Sequence, residues 1–431
     1  LAETGRLAPE GVARALRVLA RFAAVAERMR VAALDAVATA AVREAEDGPA
    51  FVARVEAETG LRMRVVDGPE EARLSAVGAL VGEPTAEGAV ADMGGASMEL
   101  AEIAGGRVGA RLSLALGPQW LAGLSGGALR KRVDSELARA EGAVALSGRT
   151  LFLVGGAWRS VAKLQMARVA HPLSVLQGYR IPAAEAAEAA GWIARRSPEQ
   201  LGRTPGVSAA RAATAPVAAV VLGRILERLG PSEIAVSAFG LREGVYYELL
   251  PPPVRAQDPL IEACRRLERV QARFPGFGAE LFAFVAPVLA GWSKRERRLA
   301  RAACYLNDVN WRAHPEYRSV SCFETVTRAN LAALDHADRV FLGLALAQRY
   351  GGGRRSVVAD AALALLSGEG EKRAKALGRA MRLGALAPEA GRLTLRLGPE
   401  LAPLWGDVVE KRLGALAEAL DLAPRAEIAA A

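Results

Sequence analysis

A triple proline, Pro251-Pro252-Pro253, divides the chain more sharply than any other feature. Three fixed φ angles and three missing backbone donors cannot sit inside a helix or a central strand. Before the prolines, helical and strand-like segments alternate. Apolar residues recur at helical spacing from Pro9 to about Met29, through Val12, Leu16, Leu19, Ala20 and Ala23. A strand is expected over Val31–Ala38, a short helix over Thr39–Glu44, a helix over Pro49–Thr59, a strand over Arg62–Val66 and a helix over Ala72–Val81. Gly82–Gly88 reads as a linker to a second unit. That unit has strands over Gly88–Ala91, Glu99–Ile103, Arg107–Leu116, Thr150–Val154 and Glu233–Ser237, and helices over Gln119–Leu124, Lys131–Glu141 and Arg211–Leu229. Strand and helix in alternation argue an α/β fold. Beyond the prolines the pattern is helical, with one small hairpin expected at Arg392–Leu397.

The most informative stretch is Asp92-Met93-Gly94-Gly95-Ala96-Ser97-Met98-Glu99-Leu100. A carboxylate ends one strand, two glycines make the bend, a hydroxyl follows and a second strand leaves. Glycines let backbone N–H groups turn inward and approach a ligand, which is how a loop holds phosphate. An acidic residue beside such a loop suits hydrated magnesium, which binds through one or two carboxylates plus phosphate oxygens. Taken alone, the same stretch also reads as an ordinary hairpin turn.

Five features occur in order: Arg43 within Ala38–Ala45, the Glu70-Glu71 pair, the Asp92 loop, a second glycine loop at Gly155-Gly156, and Gly240–Gly244. Two glycine loops, each after a strand, suit a substrate with several phosphates. Phosphoryl transfer needs placed cations, backbone N–H groups and a carboxylate that orients the attacking oxygen. Each feature also has a plainer reading. Glu70-Glu71 complements a helix dipole, and Arg43 and Arg159 serve equally as surface or structural residues.

At 431 residues the chain has room for roughly three domains. Its net charge of +9 suits an anionic partner, a phosphate-rich small molecule or a nucleic acid. Arginines such as Arg295, Arg297 and Arg298 equally suit a solvated helix face, so charge alone selects neither. The longest apolar runs, Ala215–Gly223 and Leu281–Ala290, are too short to span a bilayer. Three widely spaced cysteines suggest neither a disulfide framework nor a zinc site. These features place the protein in the cytoplasm, without a membrane partner.

Taken together, Ala38–Ala45, Asp67–Leu74, Asp92–Leu100, Leu153–Arg159, His171–Tyr179 and Ser237–Gly244 resemble the exopolyphosphatase/guanosine pentaphosphate phosphohydrolase family, within the actin-like ATPase superfamily. The resemblance covers about residues 1–250. It implies two actin-like (ribonuclease H-like) α/β domains: a partial domain I over residues 1–82 and domain II over residues 83–250. A helical, HD-like domain over residues 251–431 is suggested more faintly. It implies a phosphoanhydride hydrolase that removes the terminal phosphate of inorganic polyphosphate, with Mg2+ and a carboxylate-activated water. The alternatives are a guanosine pentaphosphate 5′-phosphohydrolase and a non-catalytic phosphate- or nucleotide-binding relative. Glu71 would activate the water, and Asp92 would hold the metal. Gly94, Gly95 and Ser97 would hold phosphate by N–H and hydroxyl, with Arg43 and Glu99 at the family's phosphate-binding and acidic positions. Gly155 and Gly156 would form the opposing loop. No specific nucleic acid is implied, and a homodimer is.

The chain departs from the family pattern in places. Ala96 stands where a third glycine is usual, so either its φ stays negative or the loop is strained. Met98 replaces a threonine. In Asn307-Asp308 the asparagine stands where an HD pair would have histidine, and with only His171, His314 and His336 available a multi-histidine metal site is not expected. Leu1–Arg6 do not supply the first strands and the Asp-x-Gly-Ser-Asn-Ser loop of the family. The expectation is an incomplete first domain, with strands Val31–Val37 and Arg62–Val66 short of sheet neighbours, and poor activity.

Overall fold

A computed structural model describes residues 4–352, 357–382, 386–389, 392–397, 402 and 405–428. They form two compact units, residues 1–170 with 179–251, and residues 171–178 with 252–431.

The first unit runs α1 (Pro9–Met29), β1 (Ala36–Ala38), α2 (Ala40–Arg43), α3 (Gly48–Thr59), β2 (Met63–Val65), α4 (Gly68–Gly82), β3 (Gly88–Met93), β4 (Met98–Ala104), β5 (Arg107–Leu114), α5 (Pro118–Leu121) and α6 (Gly126–Leu137). It continues with β6 (Thr150–Val154), α7 (Gly156–Arg168), β7 (Tyr179–Pro182), α8 (Ala183–Ala194), α9 (Pro198–Gly202), α10 (Ala209–Leu229), β8 (Glu233–Val236) and α11 (Leu241–Leu249). The main sheet has the order β5-β4-β3-β6-β8-β7, with β3, β6 and β8 parallel. Asp92 pairs with Val154 and Leu153 with Val236, so these three strands end together at one edge of the sheet. β3 is small and apolar from Gly88 to Ala91, before Asp92, because a central strand is covered on both faces. Phe152 and Val154 face Ala72, Ala76 and Ala79 of α4. Leu153, one residue out of phase, faces Val161, Ala186 and Leu222 of α7, α8 and α10.

α11 lies directly on α4. A Cβ at Gly78 would sit 1.9 Å from the Gly240 carbonyl oxygen, and one at Gly244 would sit 1.9 Å from that of Leu74. Any larger residue at either glycine would separate the two helices. By length and composition alone α10 is apolar enough to cross a membrane. It packs instead against α7, α8 and α9 with Ala215, Ala218, Leu222 and Ile225 buried.

The expected strand over Val31–Ala38 is reduced to β1, because Val31 and Leu34 are exposed and unpaired. β1 and β2 pair in parallel as a two-stranded sheet, with no third strand among the described residues. Phe51 and Val55 of α3 pack with Leu16 of α1 beside it, while Phe22, Val25 and Met29 of α1 and Val65 of β2 stay exposed.

The second unit comprises α12 (Pro252–Arg255), α13 (Pro259–Gln271), α14 (Phe277–Val285), α15 (Lys294–Tyr305), α16 (Arg318–Arg328), α17 (His336–Arg349), α18 (Val357–Leu363), α19 (Gly368–Ala380) and α20 (Asp407–Ala419). It is not wholly helical. The hairpin expected at Arg392–Leu397 is instead a single strand there, β10 (Arg392–Leu397), which pairs antiparallel with β9 (Leu386–Glu389) and parallel with β11 (Ala423–Ile428). The last strand went unread because Ala-Pro-Arg-Ala-Glu-Ile carries little strand propensity. Lys294–Arg301 proves less open than its charge suggested. Arg295 pairs with Asp335 and Asp338, and Arg298 with Asp258.

Segment 171–178 is held in this unit by a histidine pair. The Val175 carbonyl can only accept, so the His336 Nε2–H donates to it at 2.9 Å. His336 Nδ1 then accepts from His171 Nε2–H at 2.7 Å. Gly178, at φ 77°, lies against the Leu334 carbonyl, where a Cβ would come within 2.2 Å. Burial pushes the His336 ring down to about 4, and the neighbouring His171 adds to the shift. Between about 6.5, its ordinary value, and that lowered value the unfolded chain binds a proton that the folded chain does not. This contribution to stability is therefore complete above that window and is lost as pH falls through it. Asp338, pushed up to about 6 by burial and by Asp335, works in the opposite sense over much of the same range. The ring itself is the clean reporter. Proton NMR of the three histidines should find one that stays neutral to about pH 4, and a His336 midpoint near 6.5 would refute the buried pair.

Candidate active site

The site is built on the N-terminal turn of α4. The Asp67 side chain accepts from the Glu70 N–H at 2.8 Å and caps the helix. The two glutamates that follow then diverge. Glu70 turns outward into an ion-pair group with Arg73, which also binds Glu248. Glu71 turns inward and is buried. Arg43 Nη1 donates to Glu71 Oε2 at 2.9 Å and to the Val66 carbonyl at 2.9 Å, so the end of α2 and the start of α4 are tied through one guanidinium. Burial raises the proton affinity of Glu71, Arg43 opposes the shift, and the charge of Asp92 adds to it. One turn further along the same face of α4, Ser75 Oγ donates to Asp92 Oδ2.

Asp92 and Glu99 stand directly opposite each other across the β3–β4 hairpin. Burial raises Asp92, while the Ser75 hydrogen bond and the Arg159 charge oppose it. Glu99 is pushed up to about 8, by burial and then by the charge of Glu71, so it carries its proton at neutral pH. Ser113 Oγ donates to Glu99 Oε1 at 2.9 Å. Glu99 Oε2 and Ser97 Oγ are buried with no hydrogen bond of good geometry, although Ser97 lies near enough to favour the charged form of Glu99. Three buried carboxyls of raised proton affinity, with Asp92 acting on Glu71 and both acting on Glu99, are the usual mark of a functional cluster.

The hairpin loop corrects one expectation. The Gly94 N–H is already donated to the Ser97 carbonyl at 3.0 Å, so it closes the turn and is not free for a phosphate. The N–H groups of Gly95, Ala96 and Ser97 make no hydrogen bond among the described residues. Neither Gly94, Gly95 nor Ala96 has a positive φ, so alanine is accommodated without strain. What the loop does require is Gly117, which sequence reasoning passed over. A Cβ there would sit 2.2 Å from the Ala96 carbonyl carbon and 2.5 Å from the Ser97 nitrogen. Gly117→Ala should displace the loop and destabilise the chain by about 1–3 kcal/mol. A melting temperature equal to that of the parent chain would show that the contact is not needed.

The second loop follows β6. Gly155 takes φ 104°, and a Cβ there would meet the Met93 carbonyl oxygen at 2.6 Å and Asp92 Oδ1 at 2.8 Å. α7 starts at the next residue, so its first N–H groups open at the same sheet edge as Asp92. Arg159 is anchored to the Ala238 carbonyl at 2.9 Å. Arg211 lays its guanidinium over Gly156 and makes no ion pair among the described residues. The fold thus brings Arg43, Glu71, Asp92, Glu99, Ser97 and Gly155 into one connected neighbourhood. Ser75, Gly117 and Arg211 join it unforeseen. Only Ser75 carried a readable signal, the four-residue spacing from Glu71 on one helix face.

No three His, Cys, Asp or Glu side chains among the described residues gather into a metal cage. An oxygen-rich set around Asp92 and Glu99 Oε2, beside donors for phosphate, suits a cation whose remaining ligands are substrate oxygens and water and whose charge would displace the Glu99 proton.

Comparison with known proteins identifies the family. Residues 1–252 match the Ppx/GppA phosphatase family, and residues 260–390 match the family described as exopolyphosphatase, C-terminal. Exopolyphosphatase 1 of Mycobacterium leprae is 28% identical over 263 residues, which span 56% of this chain and 75% of that one. An uncharacterized protein of Streptomyces coelicolor is 30% identical over 251 residues, or 55% of this chain and 74% of that one. Among solved structures, an exopolyphosphatase from Cytophaga hutchinsonii aligns with a TM-score of 0.52 at 21% identity, covering 57% of this chain and 84% of that one, a likeness of fold. The architecture is the actin-like one that the sequence motifs implied. With its first 252 residues matched, the chain belongs to the Ppx/GppA phosphatase family.

Proposed function

We propose that the chain is an exopolyphosphatase, a phosphoanhydride hydrolase that releases the terminal phosphate of inorganic polyphosphate. The observation that carries this reading is Glu71, a buried carboxyl held by Arg43, facing the charge of Asp92 and sharing a neighbourhood with two phosphate-type loops. In the ionised form Glu71 accepts a proton from water as the water oxygen bonds to the terminal phosphorus. The bridging P–O bond breaks, and the shortened chain leaves with the bond's electron pair. The N–H groups of Gly95, Ala96 and Ser97 and the first turn of α7 hold non-bridging oxygens, while Arg43 and Arg211 balance their charge. Asp92, oriented by Ser75, would hold magnesium, with Glu99 beside it. The ion's part is to neutralise phosphate charge. The enzyme works in the cytoplasm, as a homodimer.

Guanosine pentaphosphate is the second substrate to be tested, because the same terminal-phosphate chemistry serves it. Phosphate release from long-chain polyphosphate and from guanosine pentaphosphate should be measured side by side with magnesium. Faster release from polyphosphate is expected. Preference for the nucleotide would reassign the substrate, and release from neither would make the chain a binding protein. Chelation should abolish release, magnesium should restore it and zinc should not, because the donors are oxygens. Release that survives strong chelation would refute the metal assignment.

A further inference from the structure

The second unit contains a cleft of about 590 Å³ between the end of α13, the start of α14 and the ends of α15 and α17. That volume lies within the range of small-molecule sites. Its floor holds Asn307 and Asp308, the pair at the HD-like position, and neither is available to a metal. Asp308 is gripped by Arg273 through Nη2 at 2.6 Å and through the Arg273 backbone N–H at 2.9 Å. Asn307 Oδ1 accepts from Arg349 Nε at 2.8 Å, which directs that guanidinium toward the cleft it lines.

Arg349 makes no ion pair among the described residues, and neither do its neighbours Arg382 and Arg412. Burial lowers the proton affinity of Arg349, and the charges of Arg412 and Arg273 add to the effect. Arg382 is lowered in the same way, by burial and then by Arg412 and Arg349. Asp308 offsets part of the charge at Arg349 but is already held by Arg273, so this group of guanidiniums is short of negative charge, which an anion supplies. The opposite wall is aromatic. Phe274, in the loop, and Phe277, the first residue of α14, flank Gly276 at the rim and are 69% and 43% exposed, an unusual state for two neighbouring phenylalanines. Glu280, also on the lining, offers a carboxylate acceptor with no partner among the described residues.

We propose that this cleft binds a purine nucleoside diphosphate. The base would stack on Phe274 and Phe277 and present its N–H edge to Glu280, while the phosphates reach Arg349, the guanidinium on the lining that carries no ion pair among the described residues. Inorganic oligophosphate shares the anionic chemistry but leaves the aromatic rim unused. The site goes beyond the hydrolytic function proposed above and does not depend on it.

Calorimetric titration of the full chain with ADP, GDP and tripolyphosphate tests this. The expected result is one molar equivalent of bound nucleotide that weakens about tenfold or more in Phe274→Ala and in Arg349→Gln. Tripolyphosphate binding should respond to Arg349→Gln and not to Phe274→Ala. Phe274 is largely exposed, so its truncation leaves folding intact and keeps the test readable if Arg349→Gln unfolds. Nucleotide binding that is unchanged in Phe274→Ala, or absent at millimolar concentration in the parent chain, would overturn the proposal. Tripolyphosphate binding as tightly as nucleotide, with no effect of Phe274→Ala, would overturn it in favour of a plain polyanion site.

Discussion

Replacing Glu71 with glutamine should cut phosphate release by about 10²–10⁴ while the chain still folds and binds substrate. The amide keeps the shape of the side chain and can still accept from Arg43 Nη1 through its oxygen, so the tie between α2 and α4 survives. What is lost is the capacity to take a proton from water. The pH dependence of the parent chain should report the same group. Burial raises Glu71, and the neighbouring acids Asp92 and Glu99 share in the titration. Release should therefore rise with pH along an acid limb whose midpoint lies above about 4.3, the ordinary glutamate value, and should level off above that midpoint. That limb belongs to the carboxyl cluster as a whole, so Glu71→Gln should remove or shift it. A folded Glu71→Gln variant with near-parental turnover would take the residue out of the mechanism.

The two glycines of the second loop should behave oppositely. Gly155→Ala forces an L residue to φ 104° and drives a methyl group against the Met93 carbonyl and the Asp92 carboxyl. Strain of this kind costs about 1–3 kcal/mol, and the steric overlap adds a similar amount. The variant should lose on the order of 3 kcal/mol of stability and most of its activity, because the displaced atoms are those of Asp92 itself. In Gly156→Ala the added methyl meets only the end of the Arg211 side chain, at 2.2 Å, and that side chain is free to swing away. Folding should persist, with KM raised through loss of one substrate cation and kcat changed less. Chemical denaturation separates the two variants directly. Equal stability in both would mean that the loop adjusts, and that the close approach of Gly155 to Asp92 is not required.

Much of the chemistry was legible in one dimension because it is local. Asp67, Glu70 and Glu71 lie within one helical turn, and the Asp92 loop is a single hairpin whose ends, Asp92 and Glu99, are set opposite each other by period-two geometry. Strand Thr150–Val154 and helix Pro9–Met29 were readable to the residue, since each pattern runs uninterrupted between turn signals. The order of the motifs was enough to indicate the family. Tertiary structure decided whatever depends on partners distant in sequence. Glu70 and Glu71 are indistinguishable as letters, yet Arg73 draws one outward and Arg43, on a separate helix, draws the other inward. Gly117 and Gly155 matter for how closely another segment approaches, a quantity that no local pattern encodes. The sequence set Asn307-Asp308 apart as an HD-like pair lacking its histidine, but only the fold shows Arg273 holding both oxygens of Asp308. β11 is a strand because β10 offers it an edge, while its own residues favour no such state. Local periodicity and capping are properties of neighbouring residues and so survive in the sequence; proton affinity, ion pairing and close packing are set by whatever the fold brings within a few ångströms.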